Sequence, residues 1–238
     1  MPQSRQEQRR ARHEAKRKAK RKTARTQLPS RSRKAMLRTA LAWPVMECWI
    51  NDTWEDPTYL NQVVVARRNP ATGEVYVSII LVDRACLGVK NAHAANFINA
   101  TSFRRELLTR LSQGQKLVKT DFNFAAKIVK VGLEYAAQFG FRPHRDFEEA
   151  SILLQDADPD AVETSIPVGG PDGKPMFRSG PYDNVPKIMA RLTHQLGPDG
   201  FTYLISIDPD QGIFLDNAEA IDWGMDDGKD IILTDDDR

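Results

Sequence analysis

The chain has 238 residues, of which 41% are hydrophobic and 28% are charged, as is typical of a soluble globular domain that carries polar tails. No window approaches 18 consecutive apolar residues, so we expect no membrane partner. The basic N-terminus lacks the apolar run of a secretory signal, and two cysteines suit neither a zinc site nor a disulfide scaffold. A reducing, cytoplasmic location is therefore expected.

Charge is divided unevenly along the chain. Residues 1–34 hold 14 Lys/Arg and 2 Asp/Glu, a net charge of +12, whereas the remainder holds 20 Lys/Arg and 30 Asp/Glu, a net charge of −10. This pattern predicts an acidic body with a basic arm that has a polyanionic partner. We divide the chain into an arm and linker (1–34), a single domain (35–216) and an acidic tail (217–238).

The basic arm contains no apolar residue larger than alanine over residues 3–27, so it cannot bury a face and should be disordered alone. Its Ala, Arg, Lys, Gln and Glu residues favour a helix once phosphates neutralise the repulsion between cations. Its positive charge predicts contact with the phosphates of RNA or DNA, free or within a ribonucleoprotein. It has no aromatic residue for base stacking, so little sequence preference is expected. A solubilising tail or localisation signal is the alternative. The predicted nucleic-acid-binding residues are Arg9, Arg10, Arg12, Lys16, Arg17, Lys18, Lys20, Arg21, Lys22 and Arg25.

Strands are predicted where Val and Ile are concentrated. The turn sequence NPATG joins two of these strands into a β-hairpin. The second hairpin strand contains VSIILV, which is apolar on both faces and therefore indicates a central strand. The predicted strands are 44–50, 61–68, 74–83, 201–208 and 212–216.

Helices are predicted from apolar stripes and from capping residues. We expect Thr101 or Ser102 to cap the first helix and Asp121 the second. Asp146 should cap the third, because Glu149 follows at the spacing of a capping box. The predicted helices are 101–113, 121–140, 146–156 and 185–197, and 159–184 is predicted to be rich in loops. The fold class is therefore α+β: an antiparallel hairpin-based sheet covered by several helices.

The segment LVDRACLGVKNAH (81–93) is one candidate site, because Asp83 ends an apolar strand and a glycine-containing loop is expected to follow. Cys86 would be a nucleophile with His93, or else a small buried residue under the strand. Lys90 is a candidate phosphate contact or a solvated side chain.

The segment FGFRPHRDF (139–147) is the second candidate. It is interpreted as a connection between two helices held to the core by phenylalanines, or as a site where His144 acts in acid–base chemistry beside Asp146. Arg142 and Arg145 are candidate phosphate contacts at the start of the next helix.

A carboxylate site is the third candidate, because a hairpin that ends in an aspartate and is followed by helices weakly resembles ribonuclease-H-like nucleases. Asp83, Glu134 and Asp146 would contribute to it, but no spacing supports it, and we predict no metal and no cofactor. A hydrolase or nuclease using Asp83, Cys86, Lys90, His144 and Asp146 is thus the alternative to a nucleic-acid-associated accessory protein. A protein-interaction module with a localising tail is a further alternative, and the oligomeric state is left open.

Four short motifs carry a resemblance over residues 43–190: CWI, VDRACLGVKN, GFRPHRDF and GPDGKP. They resemble a set of uncharacterised bacterial proteins that share C-W-I, V-D-x-x-C-L-G-[VL]-K-[DN], G-F-x-P-H-x-D-F and G-P-D-G-K-P. The resemblance implies no activity, since none is established for that set. Many members of that set have Asp at the position of Asn91 and an aromatic residue near His93, and this chain differs from them at both places, which weakens a catalytic role for those two residues.

Overall fold

The computed structural model describes residues 30–180 and 182–205, with side chains from residue 33 onward. The predicted nucleic-acid-binding residues, the predicted strand 212–216 and the acidic tail lie outside the described residues. The chain divides into two compact units, 1–37 and 38–238. The first described helix, α1 (Ser30–Leu41), begins inside the segment 28–34 that the sequence predicts as a linker.

The fold is α+β, as predicted, and its main sheet has five antiparallel strands in the order β4-β3-β2-β1-β5. The predicted hairpin is confirmed: Asn61 pairs with Val82 at one end and Arg68 with Val75 at the other. Gly73 closes its turn with φ of +79°, a conformation that glycine adopts without strain. The strands are β1 (Val45–Asn51), β2 (Asn61–Arg68), β3 (Val75–Asp83), β4 (Gly88–Phe97) and β5 (Leu117–Thr120).

Two strands of this sheet are absent from the sequence prediction. Residues 88–93 were expected in a loop, but they begin β4, which pairs with β3 along nearly its whole length. Its Gly, Ala and Asn residues have low strand propensity, so pairing with a buried neighbour outweighs the local preference. β5 has four residues, too few to display an alternating pattern, and it pairs with β1 at the opposite edge.

Helical elements cover both faces of the sheet and bury β3 on both sides, as predicted. One face packs against α3 (Phe122–Ala137) and the other against α2, the helical segment 100–111. Segment α2 consists of an α-helical turn (Ala100–Phe103), a π-helical turn (Arg104–Leu108) and a second α-helical turn (Thr109–Leu111). Its cap is Asn99, whose side chain accepts a hydrogen bond of 2.9 Å from Ser102 N, so the prediction of Thr101 or Ser102 was wrong.

The remaining elements divide between the α3 face of the sheet, where Ala150 of α4 (Phe147–Ala150) is buried, and the region next to the β3–β4 turn. α4 continues into a 3-10 turn (Ser151–Leu154), and α5 (Val185–Leu196) ends at Gly197 as predicted. The short parallel strands β6 (Met176–Arg178) and β7 (Thr202–Leu204) make a second sheet. A core cluster joins this region: Cys86, Leu87, Ala136, Phe139, Phe141, Phe177, Ile188, Leu192 and Phe201.

Asp121 and Asp146 were both predicted to cap helices, and only the first does so. The Asp121 carboxylate accepts hydrogen bonds from Asn123 N at 2.8 Å and Phe124 N at 3.2 Å. Asp146 precedes α4 but has helical backbone angles (φ −80°, ψ −2°), and its side chain makes no capping hydrogen bond. A capping side chain reaches the first amide groups from an extended backbone, which explains why the capping prediction for Asp146 was wrong.

We expect Asp121→Ala to lower the free energy of unfolding by about 1 kcal/mol, because two helix amide groups lose their acceptor. Asp146→Ala, the matched change at the start of α4, should alter it by less than about 0.5 kcal/mol. Urea denaturation of the two variants measures both values. Equal destabilisation by the two substitutions would contradict the assignment of the cap.

The folded domain is close to neutral, and the acidic charge lies beyond the described residues. Residues 38–205 hold 18 Lys/Arg and 19 Asp/Glu, whereas residues 206–238 hold 2 Lys/Arg and 11 Asp/Glu. The expectation of an acidic body is therefore corrected: nearly all of the net charge of −10 belongs to the last 33 residues. Of the helices in the described part of the chain, none combines the length and the apolar character needed to cross a bilayer.

Candidate functional site

The candidate residues of segment 81–93 surround the tight turn between β3 and β4. Asp83 is the last residue of β3, and its carboxylate Oδ1 accepts hydrogen bonds from Ala85 N at 2.9 Å and Cys86 N at 3.0 Å. The side chain is buried, with 5% of the residue exposed. Burial raises the pKa of Asp83, while Lys90 and the amide groups of the turn act in the opposite direction. The hydrogen bonds of the Asp83 carboxylate therefore stabilise the turn.

Lys90 lies on β4 rather than in the predicted loop, and it forms a buried ion pair. Its Nζ donates to Asp183 Oδ2 at 2.6 Å, and the side chains are 11% and 4% exposed. The same oxygen accepts a hydrogen bond from Gly180 N at 2.7 Å. The ammonium group of Lys90 is paired with Asp183 and mostly buried, so it does not face the solvent as a phosphate contact would.

Asp183 is a residue that the sequence analysis missed. It lies 93 residues from Lys90, in a segment that was predicted only to be rich in loops. No local pattern indicates such a pair, because an isolated aspartate before a helix is common in turns. Only the packing of Gly180 and Asp183 against the start of β4 brings the two charges together.

Cys86 is fully buried at the turn, which agrees with the structural interpretation of this residue. Burial raises the pKa of its thiol, Asp83 and Asp183 raise it further, and Lys90 lowers it. A thiol held in this form is a poor nucleophile, because the thiolate is the reactive species. His93 lies on β4 five residues beyond Gly88. It is therefore about 16 Å along the strand from the turn, too far to pair with Cys86.

Tyr135 of α3 adds a further polar group that the sequence analysis did not consider as a site residue. Its hydroxyl is buried and has no hydrogen-bond partner within the described chain. Burial raises the pKa of Tyr135 to about 12, and Cys86 and Asp83 add to the effect. The hydroxyl therefore stays protonated, so Tyr135 cannot act as an anionic base near neutral pH.

His144 ties the connection between α3 and α4 to the edge of the sheet. Its amide donates to Val89 O at 2.9 Å, and its Nδ1 accepts a hydrogen bond from Asp146 N at 3.3 Å. Nδ1 lies 3.9 Å from the Asp146 carboxylate. In a His–Asp pair used for acid–base catalysis, Nδ1–H donates to the carboxylate, whereas here Nδ1 accepts from the backbone. The geometry supports the interpretation of this segment as a structural connection.

The pKa of His144 is lowered by burial, raised in part by Asp146 and lowered again by Arg145. The unfolded chain therefore binds a proton at this histidine more readily than the folded chain does. The neutral imidazole of His144 therefore contributes stability above the pKa of the unfolded chain, which is about 6.5. This contribution is lost as the pH falls through the lower pKa of the folded chain.

We therefore expect His144→Gln to flatten the loss of stability between about pH 7 and pH 5, because the substituted residue does not titrate. Urea denaturation across this range measures the profile for the natural chain and the variant. An equal change in the His194→Gln variant, at an exposed histidine of α5, would contradict the assignment to His144.

Arg142 and Arg145 are exposed on the same connection. Arg145 Nε lies 3.8 Å from Asp146 Oδ1. α4 has four residues, so it does not offer the aligned amide groups of a long helix to a phosphate. Phosphate contact by these two arginines stays a prediction.

The three carboxylates considered for metal binding are not assembled into a site. Asp83 is buried, while the Glu134 side chain is 62% exposed and lies 3.9 Å from Lys130 Nζ. The Asp146 side chain is 47% exposed on the α3–α4 connection. Within residues 30–180 and 182–205, no group of three or more His, Cys, Asp or Glu side chains is arranged to hold a metal ion.

Arg84, the residue after Asp83, is a buried structural group that the sequence analysis did not identify. It is fully buried, and it donates to Asn61 Oδ1 and Pro167 O, each at 2.5 Å, and to Trp54 O. Burial lowers its pKa to about 10, while Asp56 and Asp83 raise it. The guanidinium joins the first residue of β2 to two separate loops, the one before β2 and the one that contains Pro167, which explains why a charged residue is found at this position.

The polar groups around the β3–β4 turn therefore connect the turn and the β4 edge to Gly180 and Asp183. In the described part of the chain, they are not arranged as a nucleophile or a metal centre. A search of protein-family models, of curated proteins and of solved structures found no match to this chain.

Proposed function

We propose that this protein is a nucleic-acid-associated accessory protein that binds the phosphates of RNA or DNA through residues 1–34. The observation that carries the proposal is the distribution of charge: +12 in residues 1–34 against 18 Lys/Arg and 19 Asp/Glu in residues 38–205. A segment of this charge density releases condensed counterions when it contacts phosphates, which drives binding without base recognition.

The geometry of the domain favours this proposal over the enzyme alternative. Asp83 accepts two amide hydrogen bonds, Lys90 is paired with Asp183, and Cys86 is buried as a thiol. These groups are engaged inside the domain, whereas a nucleophile or an acid–base residue must contact its substrate. A near-neutral domain also adds little repulsion between the protein and a polyanion.

The test is a salt titration of RNA and DNA binding by the full chain and by a variant in which the arm cations are replaced by glutamine. Replacement is preferable to removing residues 1–34, because α1 begins at Ser30 and a truncation there would cut the helix. Salt-sensitive binding that disappears in the variant supports the proposal. Absence of binding by the full chain would leave the protein-interaction alternative.

A further inference from the structure

A groove of about 360 Å³ lies on the domain beside the β1–β5 edge of the sheet. Its walls come from β1, β5 and α2, and they include Trp49, Leu108 and Leu117 as apolar groups and Arg104 and Gln113 as polar groups. Its volume falls in the range of about 300–1,000 Å³ that is usual for small-molecule sites in proteins. The groove combines an aromatic ring, aliphatic side chains and a cation.

Trp49 is the central aromatic group of the groove. The indole ring is partly exposed, and its Nε1–H is buried with no hydrogen-bond acceptor in the described part of the chain. A buried donor without an acceptor is unfavourable, because it has lost its hydrogen bond to water. Because the Nε1–H itself is buried, only the exposed part of the indole ring is available to a ligand in the groove.

Cations lie next to the indole ring. Lys119 is the cross-strand neighbour of Trp49, and its Nζ lies over the ring, 5.3 Å from the centroid. A base reaches this face of the indole only when the exposed lysine side chain moves aside. Arg104 holds the buried Glu47 carboxylate with two hydrogen bonds of 3.0 and 3.1 Å, and Lys119 Nζ is 3.5 Å from the same carboxylate.

Two cations therefore share one carboxylate beside the ring, which leaves one net positive charge. The side chains of Arg104 and Lys119 are 52% and 64% exposed, so both cations remain open to an anion. An anionic ligand is the partner that this charge complements.

The wall contributed by α2 is itself irregular. Arg104–Leu108 form a π-helical turn inside an otherwise α-helical segment. Such turns are rare, occur frequently at functional sites, and change the direction in which the following side chains point. In this segment the turn carries Arg104 and Leu108, both of which line the groove.

We propose that this groove binds one nucleotide of a single-stranded nucleic acid, with the base against Trp49 and the phosphate beside Lys119 and Arg104. The inference rests on the proposed function and extends it. The arm has no aromatic residue and contacts phosphates of any strand, whereas the groove adds a preference for unpaired bases. A base in a duplex is stacked and paired, so it does not reach the indole ring.

The experiment compares the affinity of the full chain for a single-stranded oligonucleotide and for a duplex of the same length, at about 0.15 M salt. Trp49→Leu should weaken single-strand binding about 5- to 150-fold and leave duplex binding nearly unchanged, as expected for the loss of one stacked base. Urea denaturation establishes that this variant folds, since Trp49 also packs against the core. A folded Trp49→Leu variant that keeps the natural ratio of the two affinities overturns the proposal.

A second pair of variants tests the groove without disturbing the core. Gln113→Glu places a negative charge in the groove with almost no change in shape, and Gln138→Glu makes the same change at an exposed position after α3. We expect only the first to lower the ratio of single-strand to duplex affinity. Equal ratios for the two variants overturn the proposal. Displacement of the oligonucleotide by an equimolar nucleoside monophosphate also overturns it, because the ligand would then be a free nucleotide.

The two proposals fail in distinguishable ways. If binding depends steeply on salt but is insensitive to Trp49→Leu, the proposal for the groove is refuted and the proposal for the arm stands. If single-strand binding depends on Trp49 but is unaffected by neutralising the arm, the proposal for the arm is refuted and the proposal for the groove stands. Absence of any nucleic-acid binding by the full chain refutes both.

Discussion

The affinity of the full chain for RNA or DNA should fall by about 10³–10⁵ as salt rises from about 50 to 200 mM, if six to ten arm cations contact phosphates. The physical reason is the release of counterions from the nucleic acid, which becomes less favourable as the salt concentration rises. Residues 1–34 hold 14 Lys/Arg, enough to supply this number of contacts. The slope of log K against log salt reports how many phosphates the protein neutralises.

Replacing the ten predicted contact residues by glutamine should remove most of that slope and nearly all of the affinity. The variant keeps the length of the arm and leaves α1 intact, so it isolates charge from chain length. Glu7→Gln with Glu14→Gln is the matched control, since it changes the same arm in the opposite electrostatic direction and should tighten binding. Fluorescence anisotropy with labelled RNA and DNA measures these affinities. A slope unchanged by the ten substitutions would show that the binding charges lie elsewhere.

Lys90→Met should lower the free energy of unfolding by about 3–5 kcal/mol, because it leaves a buried carboxylate without its cation. Asp183 is 4% exposed, and after the substitution its Oδ2 would keep only the hydrogen bond from Gly180 N. A pair on the protein surface would contribute at most about 1 kcal/mol, so the size of the effect distinguishes the two situations. Urea denaturation monitored by circular dichroism measures it.

The double variant Lys90→Met with Asp183→Asn provides the control for that prediction. Asparagine still accepts the hydrogen bond from Gly180 N but carries no charge, so the double variant should be more stable than Lys90→Met alone. If the stability lost in the double variant, relative to the natural chain, equals the sum of the losses in Lys90→Met and Asp183→Asn alone, the two side chains are not coupled and the ion pair contributes little.

Much of the fold could be predicted from the sequence because the information is local. The β2–β3 hairpin follows from two Val- and Ile-rich runs around a turn that contains Pro70 and Gly73. α3 follows from its apolar stripe, the Asp121 cap and Gly140, which adopts φ of +75° after the helix. α5 ends at Gly197 for the same reason. In each case neighbouring residues supply both the pattern and its boundary.

The candidate site could not be predicted in this way, since its contacts join distant parts of the chain. Lys90 was expected in a loop, and the partner that buries it lies 93 residues away. His144 and Asp146 are two residues apart in the sequence, but the backbone places Asp146 N, rather than the carboxylate, against Nδ1. Residue types in a short segment indicate which chemistry is possible, whereas hydrogen-bond geometry decides which atoms meet.

The sequence by itself determined the strongly basic character of residues 1–34, the α+β class and the hairpin, because charge and hydrophobic periodicity are properties of neighbouring residues. The tertiary structure decided that β4 is an edge strand, that Lys90 is buried with Asp183 and that Lys119 lies beside Trp49 across two strands. These features depend on strand register and on the packing of loops against the sheet, which bring together residues that no local pattern connects.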